Sequence, residues 1–163
     1  MMSVIGQHAA ALKTALEGIT DIGVVYDYQP YPKNDWAQFI DTLTVKIGGQ
    51  RQVRAWTIQY DGENRDYQVV GIGSVKTIRS LNYIIRGHLS WSNPTSDKAF
   101  RDLVEQVATA VDTARSLGGT ALDHQPVTID LPNDASPVMI GDVLCHYVEI
   151  RVIVKAVETL SAV

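Results

Sequence analysis

Residues 71–77, Gly-Ile-Gly-Ser-Val-Lys-Thr, are the stretch most suggestive of chemistry. Glycine lets backbone amides approach a phosphate, and Lys-Thr resembles the end of a phosphate-binding loop. The spacing does not fit. Such a loop needs a longer spacer before its final Gly-Lys, with a strand before it and a helix after it, whereas residues 78–91 carry the alternation of a strand. The histidines His8, His88, His124 and His146 lack the close spacing of zinc motifs, and Cys145 is the single thiol. Cys145 and His146 are adjacent, so in a strand they point to opposite faces and cannot act as nucleophile and base. His88 could reach Cys145 from a neighbouring strand, but its patterning predicts a polar face, and a surface histidine with a packed thiol is the simpler reading. Asp123-His124 and the acids from Asp61 to Asp66 fall in hydrophilic stretches, where solvated charge is the default. The expectation is a protein with no catalytic residue, no metal and no cofactor, hence not an enzyme.

The elements that carry these residues follow from periodicity. Leu81, Tyr83, Ile85, Leu89 and Trp91 alternate with Ser80, Asn82, Arg86, His88 and Ser90, as in a half-buried strand with one wet face. After Ser92-Asn93-Pro94, Thr95 or Ser96 can cap a helix whose buried stripe is Phe100, Leu103, Val104, Val107, Val111 and Ala114. Asp97, Arg101 and Glu105 line its solvent side, and Gly118-Gly119 end it. Ser3 can cap a first helix with the stripe Ile5, Ala9, Leu12, Leu16 and Ile19. Val24, Tyr26 and Tyr28 alternate as a short strand that Pro30 and Pro32 stop. Trp36, Phe39 and Ile40 mark a turn or brief helix.

Residues 42–47 and 54–60 form a hairpin about Gly48-Gly49, with Trp56, Ile58 and Tyr60 on one face. Residues 127–131 read as a short strand between a linker (120–126) and a loop (132–137). From 143 to 154 runs the strongest strand, with Leu144, Val148, Ile150, Val152 and Val154 on one face and Tyr147, Glu149 and Arg151 on the other. Residues 61–80 separate two convincing strands with three glycines and little periodicity, and read as a long mobile loop or the projecting tip of a hairpin. Loops of that length tend to be functional. Asp61, Arg65, Gly71, Gly73 and Lys76 are therefore candidate interface residues. Tyr26, Tyr28, Tyr31 and Trp36 serve either the core or an interface, and Tyr31 and Trp36 join the interface candidates.

At 163 residues the chain suits one domain, residues 1–163, able to bury about two-thirds of the surface its unfolded form exposes. With 14 Lys and Arg against 18 Asp and Glu, a net charge of −4 disfavours general binding to nucleic acid. No long apolar run and no leader-like start occur, so neither secretion nor membrane spanning is expected. A lone cysteine suits the reducing cytoplasm. The fold class expected is α+β: an antiparallel or mixed sheet of about four to five strands, packed by two helices, with a long hairpin loop.

The landmarks VVYDYQPYPKNDWAQFI at 24–40, RAWTIQY at 54–60, YIIRGHLSW at 83–91 and VLCHYVEIRVIV at 143–154, in that order, resemble the tail terminator (tail completion) proteins of long-tailed bacteriophages. The resemblance covers nearly the whole chain and rests on apolar and aromatic positions rather than on a reactive motif. It implies a ring, commonly a hexamer of this chain, on the head-proximal end of the tail tube. Such a ring would stop tube polymerisation and join tail to head. The implied partners are the tail tube protein and a neck or head-completion protein. Genomic DNA would pass the lumen without specific binding, and the place would be the virion tail after assembly in the host cytoplasm. Two other readings stand beside it: a head-completion or neck adaptor protein, and a small nucleotide- or metal-dependent enzyme using the Gly71 loop or His88 with Cys145.

Overall fold

The Ser3 hydroxyl accepts a hydrogen bond from the Gly6 amide at 3.2 Å, and helix α1 (Val4–Glu17) starts there as its pattern predicts. A computed structural model describes residues 3–71, 74–92, 94–119, 121–130 and 137–161. Among these residues the chain continues through β1 (Val24–Tyr26), α2 (Trp36–Thr42), β2 (Thr44–Ile47), β3 (Gln50–Gly71) and β4 (Ser74–Ser90). It then forms α3 (Pro94–Thr113), a short 3-10 turn at Leu117–Gly119, β5 (Asp123–His124), β6 (Thr128–Asp130), β7 (Val138–Ile140) and β8 (Val143–Ser161).

The class is α+β with a mixed sheet, as expected. Its path is β1-β3-β4-β8-β5, in which β1 alone runs parallel to its neighbour. The strand number rises to eight because short segments join the ladder: β2 on β3, and β7, β6 and β5 in succession along β8. Gly48 and Gly49 both have positive φ, 59° and 83°, the geometry of a tight two-residue hairpin turn.

One face of the sheet carries the main core. Leu12 and Leu16 of α1 and Phe100, Leu103, Val107 and Val111 of α3 pack on Trp56, Ile58, Leu81, Tyr83, Ile85, Val148, Ile150 and Val152. The opposite face is not uniformly wet. Around its β1–β2 end, Leu43, Val53, Ala55 and Cys145 form a second cluster with Phe39 and Ile40 of α2 leaning on it. Within β1 the buried residue is Val25, so Val24 and Tyr26, expected to define the strand's face, turn toward this smaller cluster instead.

Both ends of α3 differ from their sequence signals. Pro94 occupies the first turn, where its missing amide costs nothing, so neither Thr95 nor Ser96 is the cap. Ser96 is buried there and accepts a hydrogen bond from the Ser92 amide at 3.4 Å. The helix stops at Thr113, and the positive φ of Gly118 and Gly119 serves the following 3-10 turn. Trp91, placed by alternation on the apolar face, is half exposed and stacks on His146 at 4.2 Å.

Candidate interaction surfaces

Among the described residues, 61–71 and 74–80 are strand rather than loop. β3 and β4 stay paired from Arg54↔Leu89 to Gly71↔Ser74, with register shifts between Tyr60 and Glu63 and between Val69 and Gly71, and β8 follows β4 as far as Ser74↔Ser161. The alternative reading of the segment, a projecting hairpin, is the one realised, and β8 adds a third strand to it. The hydrophobic cluster stops near Tyr60, Leu81 and Ala156, so the strands beyond form an arm that leaves the core behind.

A bulge marks the base of the arm. Between Tyr60↔Tyr83 and Glu63↔Leu81 the β3 side has one residue too many, and Gly62 takes up the slack at φ 103°. Asp61, a candidate interface residue, sits exposed in that bulge. The extra residue keeps Glu63 on the core face, where the Arg79 guanidinium donates to Glu63 Oε2 at 2.6 and 3.1 Å and Arg65 donates to Oε1. Glu158 of β8 approaches Arg79 at 3.9 Å, so charged groups on all three strands meet where apolar contacts run out. Burial works to raise the Glu63 pKa, but the hydrogen bonds from Arg79 and Arg65 outweigh it and hold the carboxyl below its usual range.

The remaining arm candidates lie further out. Lys76 stands between Gln68 and Thr159 in the ladder, and Gly71 ends β3. Gly73 lies outside the described residues. Among the described residues, strand precedes at Gly71 and strand follows at Ser74, rather than the strand-then-helix order that a phosphate-binding loop needs.

Tyr31 and Trp36 belong to a different surface. They lie beside the Thr57–His88 part of the sheet, on the order of 40 Å along β3 from Gly71 at the rise of an extended strand. Pro30 and Pro32 stiffen the connection after β1, Lys33 and Asn34 turn it at φ 42° and 67°, and the Asp35 carboxylate caps α2 by accepting from the Gln38 amide at 2.9 Å. Tyr26 ties the connection down by donating to the Thr42 carbonyl at 2.7 Å. Tyr31 is 75% exposed, Trp36 55% and Met139 60%. Together they wall a groove of about 340 Å³ with Thr57 and His88 among its lining residues. Thr57 is 4% exposed, and its hydroxyl makes no hydrogen bond among the described residues.

His88 is not the surface histidine that its polar neighbours predict. It is half-buried, lines the groove together with Trp36 and Phe39, and packs on the Tyr147 ring at 5.0 Å. Burial, helped by the nearby Arg86 charge, lowers its pKa to about 4. It shares a face with Cys145, since His88 pairs with Tyr147 and Ser90 with Cys145. The two do not form a catalytic pair: the Cys145 thiol turns to the Val143 carbonyl at 3.7 Å, and burial pushes its pKa up to about 12. His146 lies on the other face, bonded to Ser96 at 3.0 Å and stacked on Phe100. His8 reaches Tyr83, and His124 donates to the Val111 carbonyl at 2.8 Å. The histidines thus serve separate packing sites. Among the described residues no group of three or more His, Cys, Asp or Glu could hold a metal ion.

Between the arm and the aromatic groove the sheet carries a polar network. The Arg86 guanidinium donates to Glu149 at 3.1 Å and also to Gln59, while the Tyr147 hydroxyl donates to Glu149 at 2.6 Å. The Tyr147 bond above all, with Arg86 and against the cost of burial, holds the Glu149 carboxyl below its usual range. Compared with protein-family models and with curated proteins, the chain matches none.

Proposed function

We propose that this chain is a structural subunit of a phage tail. It assembles as a ring on the head-proximal end of the tail tube, ends tube growth and offers the surface on which the head is joined. The arm is the observation that carries this reading. Its strands run beyond their own core with edges left unpaired among the described residues, an arrangement suited to contacts between protein subunits. The exposed aromatic groove, set far from the arm, supplies a second protein-binding surface of the composition favoured at interfaces. The order of landmarks, which resembles that of tail terminator proteins, supports this reading.

The test is tube length. Tail tube protein polymerised with this chain should give tubes of bounded length by electron microscopy, and tubes formed without it should keep growing. In a phage lacking the protein, overlong tails support capping. Tails of normal length that lack heads would instead assign the chain to the neck. Lys76→Ala should fold normally and cap less well. Tubes that grow equally long with and without the wild-type protein remove the proposal.

A further inference from the structure

Beyond Tyr60, β3 has a neighbour on one side only among the described residues. Its inner side is laddered to β4 from Arg54 to Gly71, whereas on its outer side β1 reaches no further than Thr57. One bond fixes which amides face outward. The Arg54 amide donates to the Leu43 carbonyl, away from β4, so residues of β3 on the face of Arg54 turn their backbone groups outward. Past the bulge that set continues as Glu63, Arg65 and Tyr67, which share the face of Leu81.

On the opposite flank, β7, β6 and β5 cover β8 as far as Lys155, whose carbonyl accepts from the Leu122 amide. The next residues of the same parity, Val157 and Thr159, also face outward, and no strand among the described residues meets them. Among the described residues the arm thus has two open edges. From Ile58 to Gly71 the β3 edge is long and contains no proline, so one of the usual guards against strand pairing is missing.

We infer that these edges are occupied by a second copy of this chain, the outer edge of β3 in one subunit pairing with the outer edge of β8 in the next. Such a junction presupposes the ring proposed above and specifies how its subunits join. The two edges lie on opposite flanks of one arm, as a head-to-tail repeat requires. β3 and β8 are both antiparallel to β4 and so run the same way. Rotation about a ring axis therefore brings them together as parallel strands with their core faces on one side. Charge is compatible with the same join, with Arg65 already paired to Glu63 and Glu158 beside Arg79 in each subunit. On the core face the β3 edge presents Arg65 and the β8 edge Glu158, each with a side chain 45% exposed. Joining unlike edges sets cation beside anion. Joining like edges about a two-fold axis normal to the sheet brings each charge toward its own copy.

The test separates backbone pairing from side-chain contact in the full-length protein. Tyr67→Pro removes one outward amide without touching the β4 ladder, and Tyr67→Ala removes the ring but keeps the amide. By light scattering on a sizing column, wild type and Tyr67→Ala should be closed oligomers. Tyr67→Pro should be a monomer with wild-type circular dichroism. In the wild-type oligomer, hydrogen exchange at Glu63, Arg65 and Tyr67 should be slowed roughly tenfold or more relative to solvent-facing edge amides. That measurement decides the matter alone if Tyr67→Pro does not fold. Fast exchange at these amides in the oligomer, an oligomeric Tyr67→Pro, or a wild type that stays monomeric at every concentration overturns edge pairing. Slow exchange with unbounded tubes in the length assay would instead leave the edge junction standing and remove the tail-capping role.

Discussion

Gly87 lies directly opposite Trp56 in the β3–β4 ladder, and a methyl group added at Gly87 would stand 2.7 Å from Cη2 of the indole. The ring occupies the space that a side chain would take. From there its Nε1 donates to the Ile22 carbonyl at 3.1 Å, which fastens the approach to β1 onto the sheet. Gly87→Ala must therefore push the indole off its partner or spread the strands. We expect a loss of about 1–3 kcal/mol in urea unfolding and a shift in tryptophan emission, as in overpacked cores. Unchanged stability and emission would mean that the indole does not rest on Gly87.

Leu103 probes the other side of the same core. It is buried between α3 and the sheet, at the position its helical spacing predicts. Leu103→Ala should cost roughly 2–5 kcal/mol, the range for a large-to-small change that leaves a cavity. Calorimetry or denaturant titration checks this, and a negligible loss would contradict the burial of that stripe.

Periodicity found the elements that bury one apolar face and missed those that have no apolar stripe. Leu12 and Leu103 on the helices, and Ile85, Val148, Ile150 and Val152 on β4 and β8, all lie where helical spacing or alternation placed them. The arm escaped because Asn64, Asp66 and Gln68 on one face and Glu63 and Arg65 on the other are all polar, so a period of two leaves no trace in hydrophobicity. The signal available was charge: two arginines and a glutamate at Glu63, Arg65 and Arg79 can link neighbouring strands. Tyr31 and Trp36 were legible as interface candidates, but the groove was not. It needs Thr57, His88 and Met139 from three separate strands, which only the tertiary fold brings together.

Glu63 is the hub of the arm's base, and the nearly buried Arg79 depends on it. Glu63→Gln keeps the shape and removes the charge, which should weaken the local structure by about 1–3 kcal/mol, the scale of hydrogen bonds to charged groups. The core does not use this bond, so the global unfolding midpoint should move little, while amides from Lys76 to Ser80 and from Val157 to Thr159 exchange faster. The wild-type arm should loosen similarly in acid. A carboxyl held below its ordinary value of 4.5 contributes its full stability above that value and loses it as the pH falls through the folded value. Exchange rates in the arm that are the same in Glu63→Gln as in wild type would show that the ladder alone holds it.

His88 makes the pH dependence of the core's second face measurable. Its folded pKa of about 4 lies below the ordinary 6.5, first because burial disfavours the cation and then because Arg86 repels it. Between those values the unfolded chain binds the proton that the folded chain refuses. The contribution is therefore complete above about pH 6.5 and is lost progressively as the pH falls toward 4. From pH 7 to pH 5 the loss should be about 2 kcal/mol. His88→Gln cannot take up the proton, so its stability should fall by that much less over the same interval. The slope that remains belongs in part to His146, whose pKa burial also lowers. Denaturant titrations of both proteins at the two pH values make the comparison. Equal losses would mean that His88 is solvated enough to titrate as it does in the unfolded chain.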